Sequence, residues 1–197
     1  MFEPRDTEGL SLEQQVKLLM DERAIRNVIY RDCRAKSRAD AALMRTCFFE
    51  DAQDHHQPMF DIPFKQLADS LEESAPAVGE LIQYIALQIL IDIEGEVARV
   101  ESYVLSNKIF HQRAENGDKI FRQSGMRMLD RFERRNGEWR IAERWFVPEW
   151  GYFKEVSPLT KAISRYGIGT DAGKIVCDPN LETNWHKANR SDPSYHF

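Results

Sequence analysis

The sequence predicts an α+β fold, a cone-shaped barrel in which a curved antiparallel sheet wraps over three N-terminal helices. Apolar residues recur at helical spacing early in the chain, whereas from Leu81 onward they alternate with a period of two. Two pairs of long strand patterns are joined by the short turns Glu94-Gly95 and Asn136-Gly137. The second turn is the stronger hairpin signal, because Asn and Gly both accept positive φ. A curved sheet over helices leaves a pocket, so function is expected on its inner surface.

The first helix is expected to begin at Ser11, because Ser11 and Gln14 form a capping-box pair ahead of an apolar pattern at helical spacing. The polar segment Asp21–Arg23 interrupts that pattern and predicts a break into two helices. The apolar positions are Val16, Leu19, Met20, Ile25, Val28, Ile29 and Cys33.

A second, short helix is predicted after Asp40, which acts as its N-cap. The next segment, Gln53–Gln57, reads as a short strand that carries two adjacent histidines. Asp61 is then expected to cap a third helix with Pro63 in its first turn, where a proline is tolerated, and this helix is expected to run to about Ser74.

In the first long strand, apolar residues occupy both faces. One face would carry Ile85, Leu87, Ile89, Ile91 and Ile93, and the other Tyr84, Ala86, Gln88 and Leu90. Since neither face is plainly polar, we expect helices to cover one and a second subunit to cover the other, in a homo-oligomer that could be a dimer or a trimer. After Trp150 the pattern dissolves, which predicts a domain over residues 1–150 and an extended tail over residues 151–197.

Composition narrows the classes of function. The net charge of −5 argues against nucleic acid, which prefers a basic face. No apolar run approaches the ~20 residues that span a membrane, and the first residues carry no apolar signal core, so a cytoplasmic protein is expected. Cys33, Cys47 and Cys177 fit neither a disulfide framework nor a zinc site. No metal ligand set and no phosphate-binding loop is found, so no cofactor is predicted.

Three stretches carry a resemblance to a known family: DERAIRNVIYRDCRAKSRADAALMRTCFFEDAQDHH, IEGEVARVESYV and LDRFERRNGEWRIAERWFVPEW. Together they resemble the SnoaL-like branch of the nuclear transport factor 2-like superfamily, over about Leu18–Trp150, with a weaker match at Arg190–Tyr195. Members include scytalone dehydratase, hexachlorocyclohexane dehydrochlorinase, ketosteroid isomerase-like enzymes and polyketide cyclases. The resemblance implies an apolar cone in which acid and base groups act mostly without a cofactor, although similar scaffolds also serve as noncatalytic modules.

The chain departs from the family at the usual catalytic pair. In the dehydratase and dehydrochlorinase branches, an aspartate near the end of the long helix orients a histidine on the first long strand. Those positions fall at Ser37 and Tyr84 here, and a second pocket histidine of the dehydratase falls near Asn107 or Lys108. The chain therefore uses other groups or performs no chemistry.

Other polar residues offer replacements. The catalytic candidates are His55, His56, Tyr84 and Asp32. Adjacent side chains on a strand point to opposite faces, so only one of the two histidines faces the cone, and the sequence leaves open which one. The face of Arg127 is also open, whereas Asp130 and Arg144 are expected to form a structural cross-strand pair. The candidate substrate-binding residues are Ser37, Tyr103, Asn107, Arg127, Phe60, Phe64 and Trp145.

These observations lead to a hypothesis of a cofactor-independent lyase acting on a small hydroxylated aromatic compound by general acid/base chemistry. The reaction would be elimination of water, or elimination coupled to carbon–carbon cleavage that releases formaldehyde, as for a lignin-derived diaryl compound. Two alternatives stay open. One is a polyketide cyclase or ketosteroid-type isomerase, and the other is a noncatalytic ligand-binding or assembly subunit.

Overall fold

The computed structural model describes residues 7–56, 60–115 and 117–156. The elements in chain order are α1 (Leu12–Arg38), α2 (Ala41–Arg45), β1 (Phe48–His56), β2 (Phe60–Pro63), α3 (Phe64–Val78), β3 (Gly79–Glu94), β4 (Val97–Arg113), β5 (Lys119–Arg135) and β6 (Glu138–Val156). These six strands form one sheet in the order β2-β1-β6-β5-β4-β3, antiparallel except for the parallel pair β1 and β6. This confirms the predicted α+β class, with helices packed against a largely antiparallel sheet.

The first helix is continuous over 27 residues, so the predicted break at Asp21 is wrong. The capping box of Ser11 and Gln14 is present as predicted. Asp21 is buried because it anchors α1 to the sheet: its Oδ1 accepts hydrogen bonds from Trp139 Nε1 at 2.9 Å and from Arg134 Nη1 at 3.2 Å. A polar residue inside a helical pattern here marks a tertiary contact rather than a helix end.

The connection between helices also differs in part from the prediction. Asp40 caps α2 as expected, with Oδ1 accepting from Leu43 N at 2.9 Å. The strand β1, however, begins at Phe48, five residues before the predicted start. Asp61 does not cap α3, because it lies in β2 and pairs across the ladder with His55.

A bulge in β3 overturns the predicted assignment of its two faces. Ala86 pairs with Val104 and Ile89 pairs with Ser102, so two residues of β3 lie opposite one residue of β4. Even-numbered side chains before the bulge and odd-numbered side chains after it therefore share the face that packs against the helices. Leu87, which was expected to share a face with Ile89, is half exposed.

The hairpin between β5 and β6 forms as predicted, with φ of 54° at Asn136 and 83° at Gly137. The last strand β6 continues to Val156, past the end predicted at Trp150, and residues 157–197 of the predicted tail lie outside the described residues. None of the helices in the described ranges is long and apolar enough to cross a membrane.

The main core fills the narrow end of the curved sheet, between the helices and the inner face. Its largest members come from all the layers: Ile25, Val28 and Ile29 of α1, Met44 of α2, Phe48 of β1, Phe64 of α3, Phe132 of β5, and Trp139 and Ile141 of β6. Further along the strands, the apolar packing gives way to a smaller cluster with polar groups on both sides, and this is where the candidate site lies.

Candidate functional site

The inner face of the sheet carries its side chains in rows, because residues paired across neighbouring strands lie side by side. Three zones follow one another from the core outward. The ionic centre consists of Asp32, Asp54, Asp130 and Arg144. The apolar belt consists of Cys33, Val104, Met126 and Met128, with Tyr84, Ala86 and Phe146 packed around it. The cationic end consists of Lys36, Tyr84, Ser106 and Lys108.

Arg144 organises the ionic centre. Its side chain is fully buried and donates two parallel hydrogen bonds to Asp130, Nε to Oδ1 at 2.6 Å and Nη2 to Oδ2 at 2.7 Å. The predicted cross-strand pair is therefore present. Arg144 Nη1 also donates to Asp32 Oδ2 at 2.5 Å, and Lys36 Nζ donates to the same oxygen at 2.9 Å. A planar guanidinium can serve two carboxylates at once, which an ammonium cannot do in this geometry.

At Asp32 and Arg144 the neighbouring charges favour the charged form, whereas burial and the nearby Asp32 raise the pKa of Asp130. Burial raises the pKa of the Asp32 carboxyl, but the neighbouring Arg144 and Lys36 outweigh burial and hold that pKa below its ordinary value. Burial opposes the charge of Arg144 in the same way, and its carboxylate neighbours raise its pKa well above the ordinary value. Asp32 is thus a carboxylate committed to two cations, and its Oδ1 is buried with no hydrogen-bond partner in the described residues.

The second element of the site is the pair of Asp54 and His56 on β1. Both side chains point to the inner face, because residues two apart on a strand share a face. His56 Nδ1 contacts Asp54 Oδ1, and the imidazole stacks on Phe146 with ring centroids 4.4 Å apart and planes at 10°. Asp54 is fully buried beside Arg144 in the parallel β1–β6 register. Its Oδ2 is buried with no hydrogen-bond partner among the described residues.

His55 lies on the opposite face of β1, which answers the question that the sequence left open. Its Nδ1 lies 3.0 Å from Asp61 Oδ1 and its Nε2 lies 3.2 Å from Glu143 Oε1. The ring stacks on Trp145 at a centroid distance of 5.1 Å. Burial lowers the pKa of His55, but its hydrogen bonds to Asp61 and Glu143 outweigh burial and raise that pKa. Of the two histidines, only His56 shares a face with the apolar belt.

The two positions matched to the family's usual pair lie next to each other. Ser37 is buried on the last turn of α1, where its Oγ donates to Cys33 O at 2.7 Å and accepts from Tyr84 N at 2.8 Å. Ser37 therefore fastens α1 to β3. The Tyr84 side chain packs against the apolar belt, and the Nζ atoms of Lys36 and Lys108 each lie 5.9 Å from its ring centroid.

The remaining predicted substrate-binding residues do not join this cluster. Tyr103 and Arg127, which pair across β4 and β5, lie on the outer face, and Arg127 pairs there with Glu149 at 2.6 Å and Glu101 at 3.5 Å. Asn107 lies on the same outer face and links Gln83 to Gln123 through hydrogen bonds.

Trp145 stacks on the outward His55. Phe64 packs in the core, stacked on Phe48 at 4.0 Å. Phe60 lies in β2, and its side chain is outside the described part of the chain.

Sequence reasoning missed Asp54, Lys36 and Ser106. For Asp54 a signal was available, because an acid two residues before a histidine on a strand shares its face. For Ser106 the two-residue alternation along β4 was a weaker signal. No local signal connects Arg144 with α1, since 112 residues separate it from Asp32.

Among the described residues, no group of three His, Cys, Asp or Glu side chains is placed to hold a metal ion.

Solved structures with a similar fold include the following three. A putative scytalone dehydratase from Novosphingobium aromaticivorans has 16% identity, covers 73% of this chain and 93% of its own, and gives a TM-score of 0.61. The hexachlorocyclohexane dehydrochlorinase LinA-type3 from Novosphingobium barchaimii has 12% identity, coverage of 73% and 94%, and a TM-score of 0.60. A nuclear transport factor 2-like superfamily protein from Salmonella enterica has 16% identity, coverage of 68% and 94%, and a TM-score of 0.56.

At these identities the structural likeness establishes the fold, and activity has to be argued from the site. A comparison with curated proteins finds no match. The family model of the SnoaL-like domain matches residues 17–145, which include every residue of the ionic centre and the apolar belt. This chain belongs to the SnoaL-like domain family.

Proposed function

We propose that the protein is a cofactor-independent lyase that eliminates water from a small hydroxylated aromatic compound. His56 would be the general acid/base, and Asp54 would orient it. The observation that carries this proposal is the contact of His56 Nδ1 with the buried carboxylate of Asp54, on the face that holds the apolar belt. The pair would replace the aspartate and histidine that the family usually carries at the positions of Ser37 and Tyr84.

The contact with Asp54 defines which nitrogen of His56 would exchange a proton with substrate. A carboxylate on Nδ1 holds the proton there and fixes the tautomer, which assigns proton exchange to Nε2. The buried carboxylate would also stabilise the imidazolium that forms when His56 accepts a proton. Stacking on Phe146 fixes the plane of the ring, so little reorientation would be needed during the reaction.

The apolar belt supports an aromatic substrate. Methionine and valine side chains offer a surface that an aromatic ring can fill, and methionine sulfur makes favourable contacts with ring edges. Exclusion of water from such a surface strengthens the electrostatic interactions that assist proton transfer there. The similar structures named above include a dehydratase and a dehydrochlorinase, both named for eliminations, which supports an elimination without fixing the substrate.

For a para-phenol with a benzylic hydroxyl, the chemistry would proceed through a quinone methide. The substrate would enter the site as a phenolate, having lost its phenol proton to bulk water, and the benzylic hydroxyl would leave as water after receiving a proton from His56. His56 would then remove a proton from the adjacent carbon to give a conjugated product, or from a neighbouring hydroxymethyl group. In the second case the carbon–carbon bonding pair flows into the quinone methide and formaldehyde departs.

Two predicted catalytic residues take supporting roles in this scheme. Tyr84 would hydrogen-bond a phenol oxygen of the substrate, since it lies further along the inner face than His56. Asp32 would hold Lys36 and Arg144 in place rather than act as a base, because both cations already share its carboxylate.

The adjacent histidines provide a matched test. His56→Asn should lower turnover of a phenolic diaryl alcohol by roughly 10²- to 10⁴-fold, the usual contribution of a positioned acid/base group. His55→Asn, on the outer face, should stay within about threefold of the parent rate, well below such a contribution. Turnover is followed by the ultraviolet absorbance of the conjugated product, and circular dichroism checks that both variants fold. Equal rates for His56→Asn and the parent protein would rule out this role, and binding without any turnover would favour the noncatalytic ligand-binding module.

A further inference from the structure

The cationic end of the inner face carries positive charge beyond what the ionic centre uses. Lys36 already forms an ion pair with Asp32. In contrast, no carboxylate lies within ion-pair distance of Lys108 Nζ in the part of the chain that the structure describes.

A buried hydroxyl at the same end lacks a partner. Ser106 is 2% exposed, lies directly across from Tyr84, and has an Oγ with no hydrogen-bond partner among the described residues. Leaving such a group unsatisfied destabilises the folded state. The ammonium groups of Lys108 and of Lys36, which also pairs with Asp32, both lie near the Tyr84 ring, across from Ser106. An anionic oxygen bound at this end would meet positive charge and a hydroxyl donor.

We propose that the cationic end binds an anionic oxygen group of the substrate, at the end of the molecule away from the reacting bond. Lys36 and Lys108 would supply the charge, and Ser106 would donate a hydrogen bond. The inference rests on the proposed function only in assuming that the same molecule reaches His56. A carboxylate and an ionised phenol share the required chemistry.

The spacing of the two zones sets the size of the substrate. Ser102 lies opposite Met128, in the row of Phe146 and the stacked His56, whereas Ser106 lies opposite Tyr84. Four residues along β4 separate the two serines, which is roughly 13 Å in an extended strand. One row of the apolar belt, with Val104 and Met126, lies between them. A molecule that touches both zones is therefore elongated, with about the length of two linked aromatic rings.

Equilibrium binding by calorimetry tests this inference without turnover. The probes are biphenyl-4-carboxylate, its neutral match biphenyl-4-carboxamide, and 4-nitrophenol, whose ionisation is read from its own absorbance. Tighter binding of the carboxylate than of the carboxamide supports a carboxylate ligand. A lowered apparent pKa of bound 4-nitrophenol, without a carboxylate preference, supports a phenolate ligand. Equal affinities together with an unshifted 4-nitrophenol, or no binding of any probe, would overturn the inference.

Variants then assign the effect to the named side chains. Lys108→Met keeps the apolar stem and should weaken the binding of the preferred anion by about tenfold, as expected for a hydrogen bond to a charged group. Lys65→Met removes the same charge from the exposed surface of α3 and should leave anion affinity unchanged. Ser106→Ala should also weaken anion binding, whereas Ser102→Ala, an equally buried serine at the deeper row, should not. Matching losses in Lys108→Met and Lys65→Met would contradict a local site.

The two proposals fail separately. If Lys108→Met weakens anion binding while His56→Asn keeps full turnover, the anion site stands and the lyase mechanism falls. If His56→Asn loses turnover while the carboxylate preference, the 4-nitrophenol shift and the Lys108→Met effect are all absent, the lyase mechanism stands and the anion site falls.

Discussion

The two faces of the sheet carry the same kind of interaction, arginine beside carboxylate, but bury it to different extents. On the inner face, the side chains of Arg144, Asp32 and Asp130 are between 0% and 4% exposed. On the outer face, Arg127 is 30% exposed and its partner Glu149 is 32% exposed. Water competes for every outer pair and for none of the inner ones.

This difference explains why the inner network is a better candidate for function than the outer one. A buried ion pair does little for stability compared with apolar residues of the same size, because desolvation of the charges offsets their attraction. An outer pair forms at little cost and gains little. Arg144 and Asp32 therefore place charges at positions where apolar residues would stabilise the fold at least as well. Buried charges of this kind are typical of a site that needs a fixed electrostatic field.

The largest expected effect separates the two faces directly. Arg144→Met should lower the free energy of unfolding by about 3–5 kcal/mol, because it removes the cation that pairs with the buried Asp130 and one of the two cations that pair with Asp32. Arg127→Met should lower it far less, because its partners can turn to water. Urea denaturation of both variants measures the comparison.

A double variant sharpens this prediction. Replacing Arg144 together with Asp130 by apolar residues should recover part of the loss, because the pair is removed rather than broken. If Arg144→Met and Arg127→Met had equal effects, burial would not be the property that distinguishes the two networks.

A smaller effect is expected at the contact between α1 and β3. Ser37→Ala removes the acceptor of the Tyr84 backbone N–H, so the free energy of unfolding should fall by about 1–2 kcal/mol. Asn107→Ala removes hydrogen bonds on the outer face, where water can replace them, and should cost less than about 0.5 kcal/mol. The same denaturation experiment compares the two, and a larger loss in Asn107→Ala would contradict the assignment of inner and outer faces.

The sequence predicted the fold well because its signals are local. Asn136-Gly137 defines a hairpin from two residues, and Ser11 with Gln14 defines a helix start from four. The β3 bulge between Ala86 and Ile89 escaped prediction, since both faces of that strand are apolar and a one-residue shift leaves no mark on the pattern.

The site was less predictable, because its members meet only in three dimensions. Alternation along β1 required one of His55 and His56 to face inward, but only the register of β1 beside β6 decides that it is His56. The same limit applies to Arg127, whose face depends on pairing rather than on its neighbours in the chain. The junction of Arg144 with Asp32 joins the first helix to the last strand, and no spacing rule covers such a distance.

The smallest predicted effect is a pH dependence that belongs to the outer face. Asp61 and Glu143 hold the pKa of His55 above its ordinary value of 6.5 despite burial. A histidine with a raised folded-state pKa contributes stability that is fully present below the unfolded-state pKa and is lost as pH rises through the folded-state pKa. The parent protein should therefore lose its stability advantage over His55→Gln as pH rises above about 6.5, measured as the difference between their urea midpoints. Asp61→Asn removes one of the two carboxylates and should show a weaker pH dependence. If the stability of the parent protein and of His55→Gln changed in parallel with pH, the contacts of His55 with Asp61 and Glu143 would not favour its charged form.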